Sequence, residues 1–128
     1  MRPLSDVDGL TAADVMHRQL TSLPASTTVG ELRAYFASSA SRRLAVVVDG
    51  ERFVGSIVAA AIPDGVAGHA AAADFVAQDP TVHPSAPAQA ARDLAIEQDS
   101  LRLPVVDDAG TLVGIVAITK DRRGFCGT

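Results

Sequence analysis

The sequence predicts an α/β (α+β) fold of two similar units, each a strand, a helix and two further strands with a flanking helical turn. Two observations predict it: the chain repeats itself, and each copy alternates helical and β patterning. Arg43-Leu44-Ala45-Val46-Val47 recurs as Arg102-Leu103-Pro104-Val105-Val106, and Phe53-Val54-Gly55 recurs as Leu112-Val113-Gly114, both at a spacing of 59 residues. Ala12-Ala13-Asp14 recurs as Ala72-Ala73-Asp74, and Thr21 with Pro24 as Thr81 with Pro84, at a spacing of 60, so one residue is lost between the two stretches. A repeat of this period decides the architecture before any local signal does. A copy of about 60 residues is marginal as an independent core. The two are therefore expected to pack as one module about a pseudo-twofold axis, with repeat one at about 11–65 and repeat two at about 71–123. Such packing creates two related clefts.

Each element follows from local chemistry. Residues 1–10 read as a short polar lead. Thr11 is a suitable N-cap for a helical turn over Ala12 to Met16. Leu20 to Leu23 reads as an extended piece ended by Pro24. Thr28-Val29-Gly30-Glu31 has the capping-box pattern, an N-cap hydroxyl with a carboxylate three residues on. The helix after it places Val29, Leu32 and Phe36 on one face, and Ser38 to Ser41 end it. Arg43–Val48 and Phe53–Val58 are apolar runs separated by Asp49-Gly50, which reads as a hairpin. Neither run alternates, so both faces of the sheet are expected to be covered. Pro63-Asp64-Gly65 is a turn. The alanine-rich stretch Ala67 to Ala77 is expected to be helical. The second copy repeats the plan: a strand Thr81–His83, a helix from Pro87 to about Gln98, a strand Arg102–Val106, a turn Asp107–Gly110 and a strand Thr111–Val116. Pro87 suits a first helical turn, and Ala91, Leu94, Ala95 and Gln98 are placed on its inner face.

Composition excludes several classes of function. The 128 residues are 48% hydrophobic and 20% charged, with a formal net charge of −4. That is a globular composition, and the acidic balance opposes a general nucleic-acid binder. Four Phe, one Tyr and no Trp leave little for a base-stacking platform. The first six residues lack the apolar core of a signal peptide, and no apolar run is long enough to span a membrane. The single cysteine, Cys126, has no partner for an internal disulfide, which fits a reducing, cytoplasmic setting. His17, His69 and His83 show no metal-ligand spacing. Without a Gly-rich phosphate loop, a nucleophile elbow or a credible carboxylate pair, the sequence places no catalytic constellation and no enzyme is expected.

The order of elements and these residues resemble the cystathionine-beta-synthase (CBS) domain. Asp14-Val15-Met16 and, more loosely, Asp74-Phe75-Val76 match its opening turn. Arg102-Leu103-Pro104-Val105-Val106-Asp107, followed by Leu112-Val113-Gly114-Ile115-Val116, is close to its strand pair. Repeat one departs from the pattern: Ala45 stands where Pro is usual, and Ser56-Ile57 follows the glycine. The resemblance covers residues 11–122 and implies a stand-alone pair of the Bateman type. It further implies a homodimer, a regulatory role, an unidentified protein partner and an adenosine-containing ligand (AMP, ADP, ATP or S-adenosylmethionine) in an inter-repeat cleft.

The resemblance also implies where a ligand would be held. The family's Gly-x-x-Thr/Ser-x-x-Asp pattern supplies a hydroxyl for phosphate and a carboxylate for the ribose diol. In repeat one, Val58 and Ala61 occupy those places. In repeat two, Ala117 and Lys120 occupy them, while a hydroxyl and an acid stand displaced as Thr119 and Asp121. These two are the leading candidates. The competing reading is that Thr119 caps a turn and Asp121 pairs with Arg122 or Arg123. Arg43 and Arg102, at equivalent strand starts, are candidates for phosphate. Thr21, Ser22 and Thr81 on the first strands, with Pro104 on the central strand, complete the candidate set. Two readings stay open: an adenine-nucleotide sensor, or an interaction module whose ligand sites have decayed.

Overall fold

The computed structural model describes residues 2–40 and 42–126, so Ser41, expected at the end of the first long helix, lies outside the described residues. The chain divides into two compact units: a continuous one, Thr21–Asp79, and a discontinuous one, Met1–Leu20 with Pro80–Thr128. In chain order the elements are β1 (Arg2–Pro3), α1 (Ala12–Val15), β2 (Leu23–Pro24), α2 (Val29–Ala37), β3 (Ala45–Asp49), β4 (Arg52–Ile57), α3 (Ala88–Glu97), β5 (Arg102–Val106), β6 (Leu112–Ala117) and β7 (Gly124–Phe125). This is the mixed α/β class that the sequence predicts.

In the continuous unit, β2 pairs in parallel with β3 (Leu23 opposite Val47), and β3 pairs antiparallel with β4 through a two-residue loop at Gly50-Glu51. Gly50 has φ +65°, a conformation that glycine adopts without a Cβ penalty. Helix α2 begins with the expected capping box: the Glu31 amide donates to Thr28 Oγ1 at 3.2 Å, and the Thr28 amide donates to Glu31 Oε1 at 3.1 Å. Val29 and Leu32 on its inner face are fully buried, and Phe36 is half-buried. Residues Ala45 to Val48 are all buried, as a strand covered on both faces must be.

The stretch 67–77 is not a helix. It contains one 3₁₀ turn, Ala72–Asp74. Its backbone is committed elsewhere. The first amide groups of any helix lack intrahelical acceptors, and here the Val29 and Gly30 amides donate to the carbonyls of Ala70 (2.8 Å) and Gly68 (2.9 Å). Further along, the Ala72 amide donates to Thr27 O at 2.9 Å, and Ala77 exchanges two backbone bonds with Ser56 at 2.8 and 2.9 Å. These tertiary bonds override the helix preference of alanine.

The discontinuous unit repeats this plan with the pieces drawn from both ends of the chain. Helix α3 packs Ala88, Ala91 and Ala95 into the core, Leu94 is half-buried beside them, and the half-buried Gln98 caps the helix by donating its side-chain amide to Leu94 O at 3.1 Å. Strands β5 and β6 form the hairpin. The expected strand Thr81–His83 is reduced to a single parallel bridge from Val82 to Val105. The opening turn α1, with Thr11 as N-cap, enters as its counterpart does in the other unit. The Ala88 amide donates to Leu10 O at 2.9 Å, the Ala12 amide donates to Ala86 O at 2.8 Å, and His17 exchanges two bonds with Ile115 at 2.7 and 2.9 Å. So the opening turn of each repeat caps the helix and extends the hairpin of the other repeat's body.

Residues 2–10 are more than a polar lead, and residues 124–126 join them in the fold. Strands β1 and β7 pair antiparallel, Val7 and Phe125 enter the core, and the Cys126 amide donates to Ala117 O at 2.7 Å. Leu4, Val7 and Leu10, three residues apart, were the available signal for the first of these. No helix among the described residues is long and apolar enough to cross a membrane.

Candidate ligand site

In the continuous unit, strand direction gathers the candidates at one sheet end. Thr21 and Ser22 precede β2, and Arg43 precedes the parallel strand β3. The antiparallel strand β4 arrives there with Ile57 opposite Ala45. Thr21 and Ser22 are exposed and Arg43 is half-buried. Among the described residues, Arg43 has no hydrogen bond or ion pair. Past Ile57 come half-buried Val58 and the exposed 3₁₀ turn Ala59–Ala61. Neither Val58 nor Ala61 offers a hydroxyl or a carboxylate.

The discontinuous unit brings Thr81, Arg102, Thr119 and Asp121 to the equivalent end. Thr81 precedes the bridge at Val82, Arg102 opens β5 opposite Ala117, and Thr119 and Asp121 follow β6. Pro104 is not among them. It is fully buried, and its carbonyl accepts the Val82 amide at 3.0 Å. Arg102 is turned onto the backbone: its Nη1 donates to Leu101 O at 3.1 Å and Ile118 O at 3.0 Å. Leu101 holds the left-handed φ of 56° beside it, a conformation that a non-glycine residue adopts only under tertiary constraint. The equivalent arginines therefore differ. Arg102 ties two carbonyls together, whereas Arg43 leaves its guanidinium open.

Thr119 and Asp121 are joined to each other. Thr119 Oγ1 donates to Asp121 Oδ1 at 2.6 Å and accepts the amides of Arg123 (3.2 Å) and Gly124 (3.1 Å). The same Asp121 oxygen accepts the Arg123 amide at 3.1 Å, and Arg123 Nε lies 3.9 Å from Oδ2. With the Thr119 amide donating to Gly124 O at 2.9 Å, these bonds close the turn that delivers β7 to β1. The Thr119 hydroxyl first, and the Arg123 amide second, hold the Asp121 carboxyl below its usual value of 3.8. A carboxyl lowered in the folded state contributes stability above its unfolded value and loses it as pH falls through the folded one. An NMR titration of Asp121 is thus expected to give a midpoint below 3.8, and Thr119→Ala is expected to raise it. An unchanged midpoint in the variant would contradict this bonding.

Two of the histidines serve local structure. His83 Nδ1 accepts the Ser85 amide at 3.1 Å and lies 2.7 Å from Ser85 Oγ, while Nε2 lies 3.0 Å from Asp108 Oδ1. His17 bridges through its backbone and His69 is exposed. No group of three potential metal ligands comes together among the described residues.

The CBS domain family model matches twice, at residues 12–62 and 72–120. Among solved structures, the CBS pair domain of a putative Mg2+ transporter from Shewanella oneidensis MR-1 is similar with a TM-score of 0.74 at 19% identity, over 88% of this chain and 68% of that one. The CBS-pair protein CBSX2 from Arabidopsis thaliana gives 0.71 at 23% identity, over 85% of this chain and 89% of that one. CBSX2 has also been solved in complex with AMP, a structure that gives 0.69 at 24% identity over 85% of this chain and 90% of that one. The cytosolic domain of the Mg2+ channel MgtE, solved in complex with ATP, gives 0.68 at 22% identity over 90% of this chain but 48% of that one. No curated protein matches the chain. The two matched segments span most of the 128 residues, and the chain belongs to the CBS domain family as a tandem pair.

Proposed function

We propose that this CBS pair is a cytoplasmic, non-catalytic regulatory module that acts by association, as a homodimer that docks on a protein partner, without gripping a ribose. One observation carries the reading. The 2.6 Å bond between Thr119 Oγ1 and Asp121 Oδ1 spends on a structural turn the hydroxyl and the carboxylate that a nucleotide would need. Repeat one has Val58 and Ala61 in the corresponding places, so the chain offers no second pair. Light scattering on the purified protein is expected to give a dimer mass that AMP and ATP leave unchanged. A monomer mass at all micromolar concentrations, or a mass that switches with nucleotide, would overturn the reading.

A second reading has its own support. Arg43, with an open guanidinium, shares a sheet end with the exposed Thr21 and Ser22. A guanidinium can hold phosphate through two parallel hydrogen bonds, and two structural neighbours are solved with AMP and ATP. On that reading the module is a sensor of AMP, ADP, ATP or S-adenosylmethionine. The ligand then shifts the population between two arrangements by its differential affinity.

A further inference from the structure

The opening segments behave as peptide ligands of the two bodies, and we infer that the chain exchanges the first of them, residues 2–17, with a second copy of itself. The discontinuous unit consists of two chain pieces, 1–20 and 80–128, that are covalently joined only through the whole of Thr21–Asp79. The first piece holds to the second by contacts that need no covalent link. The Leu4 amide donates to Arg123 O at 3.1 Å, Arg92 Nη1 donates to Leu4 O at 2.9 Å, and the Ala13 amide donates to Pro84 O at 3.0 Å. The bonds from Ala88 to Leu10, from Ala12 to Ala86, and between His17 and Ile115 continue the series. Val7, Ala12, Val15 and Met16 fill the core of the unit.

Without this segment the receiving body is incomplete: Ala88 loses the acceptor at the start of α3, and the core cluster that holds Leu103, Val105 and Val116 loses Val7, Ala12, Val15 and Met16. A second copy's segment supplies the same atoms. The connector Arg18–Ser22 carries no regular structure, and Arg18, Gln19, Thr21 and Ser22 are exposed, as a hinge requires. Because contacts within one chain and between two chains are the same, the closed monomer is favoured only by effective concentration. Exchange of an identical element is a low-cost route to a dimer. The share of exchanged dimer is then set by protein concentration during folding. This goes beyond the association reading and does not depend on it, since a homodimer formed through any other face leaves each segment at home.

A disulfide across the docking contact separates the cases. Thr11 and Pro87 face each other as an antiparallel bridge flanked by the bonds from Ala12 to Ala86 and from Ala88 to Leu10. This makes them a non-hydrogen-bonded pair with Cα atoms about 4.5 Å apart, within disulfide reach. The full chain carrying Thr11→Cys, Pro87→Cys and Cys126→Ser is refolded over a range of concentrations, oxidised, and run under denaturing, non-reducing conditions. The expected result is a covalent dimer whose share grows with concentration. The same chain with Thr11→Cys and Cys126→Ser alone is expected to stay monomeric. Internally bridged monomer or free thiols at every concentration would overturn the inference, whatever the native mass. Equal dimer yield from the single-cysteine chain would overturn it too.

Discussion

Phe125→Ala is expected to destabilise the protein by about 3–5 kcal/mol, the usual cost of emptying a phenyl-sized site in a core. Phe125 is fully buried and packs in the cluster that also holds Val7, Val15, Leu103 and Ile118. It sits on β7, which pairs with β1, and it bridges Ile118. Removing the ring therefore opens a cavity where both chain ends meet. Domains of this size have total stabilities of about 5–15 kcal/mol, so the variant loses a large part of its margin. A urea titration followed by circular dichroism measures the change. A shift of less than about 1 kcal/mol would mean that β7 does not close the core.

Gly55→Ala is expected to cost about 1–3 kcal/mol through overpacking. A Cβ at this position would lie 2.6 Å from Val76 Cγ2 and 2.9 Å from the Ala77 carbonyl. The β-branched Val76 has little rotamer freedom with which to yield, and the carbonyl belongs to the bridge between Ala77 and Ser56. Gly114 is the equivalent residue, and there a Cβ would meet Met16 Sδ at 2.5 Å and the His17 carbonyl at 3.0 Å. Methionine has three rotatable bonds and adapts more readily. Gly114→Ala is therefore expected to be the milder of the two, and urea midpoints of the two variants test the order. The glycine recurs in both repeats because the opening segment of the other repeat crosses directly over it.

These two glycines also mark where sequence reading stops. The repeat, the hairpins and the capping box at Thr28 and Glu31 were legible because each is written in neighbouring residues. The backbone bonds from Val29 to Ala70 and from Ala88 to Leu10 were not, because they depend on which body receives which segment. Alanine propensity consequently pointed to a helix over 67–77, where tertiary bonds impose an extended path and one 3₁₀ turn. The pairing of β1 with β7 was hidden for a similar reason. Its strands are two residues long and stand at opposite ends of the chain.

The candidate site was legible as a set of residues but not as a set of bonds. Spacing placed Thr119 and Asp121 off the family pattern, and strand order explains why Thr81, Arg102, Thr119 and Asp121 share one end of a sheet. Nothing in the sequence told Arg43 from Arg102. The difference lies in two carbonyls, those of Leu101 and Ile118, that the second arginine ties together.

Thermal unfolding with and without millimolar AMP, ADP, ATP and S-adenosylmethionine decides whether this pair associates without gripping a ribose. A ligand that binds only the folded state adds about 2.7 kcal/mol at 100 times its dissociation constant, an easily visible rise in midpoint. No rise is expected with any of the four. A rise with one of them, abolished by Asp121→Ala or by Arg43→Ala, would contradict it and place a nucleotide at that sheet end.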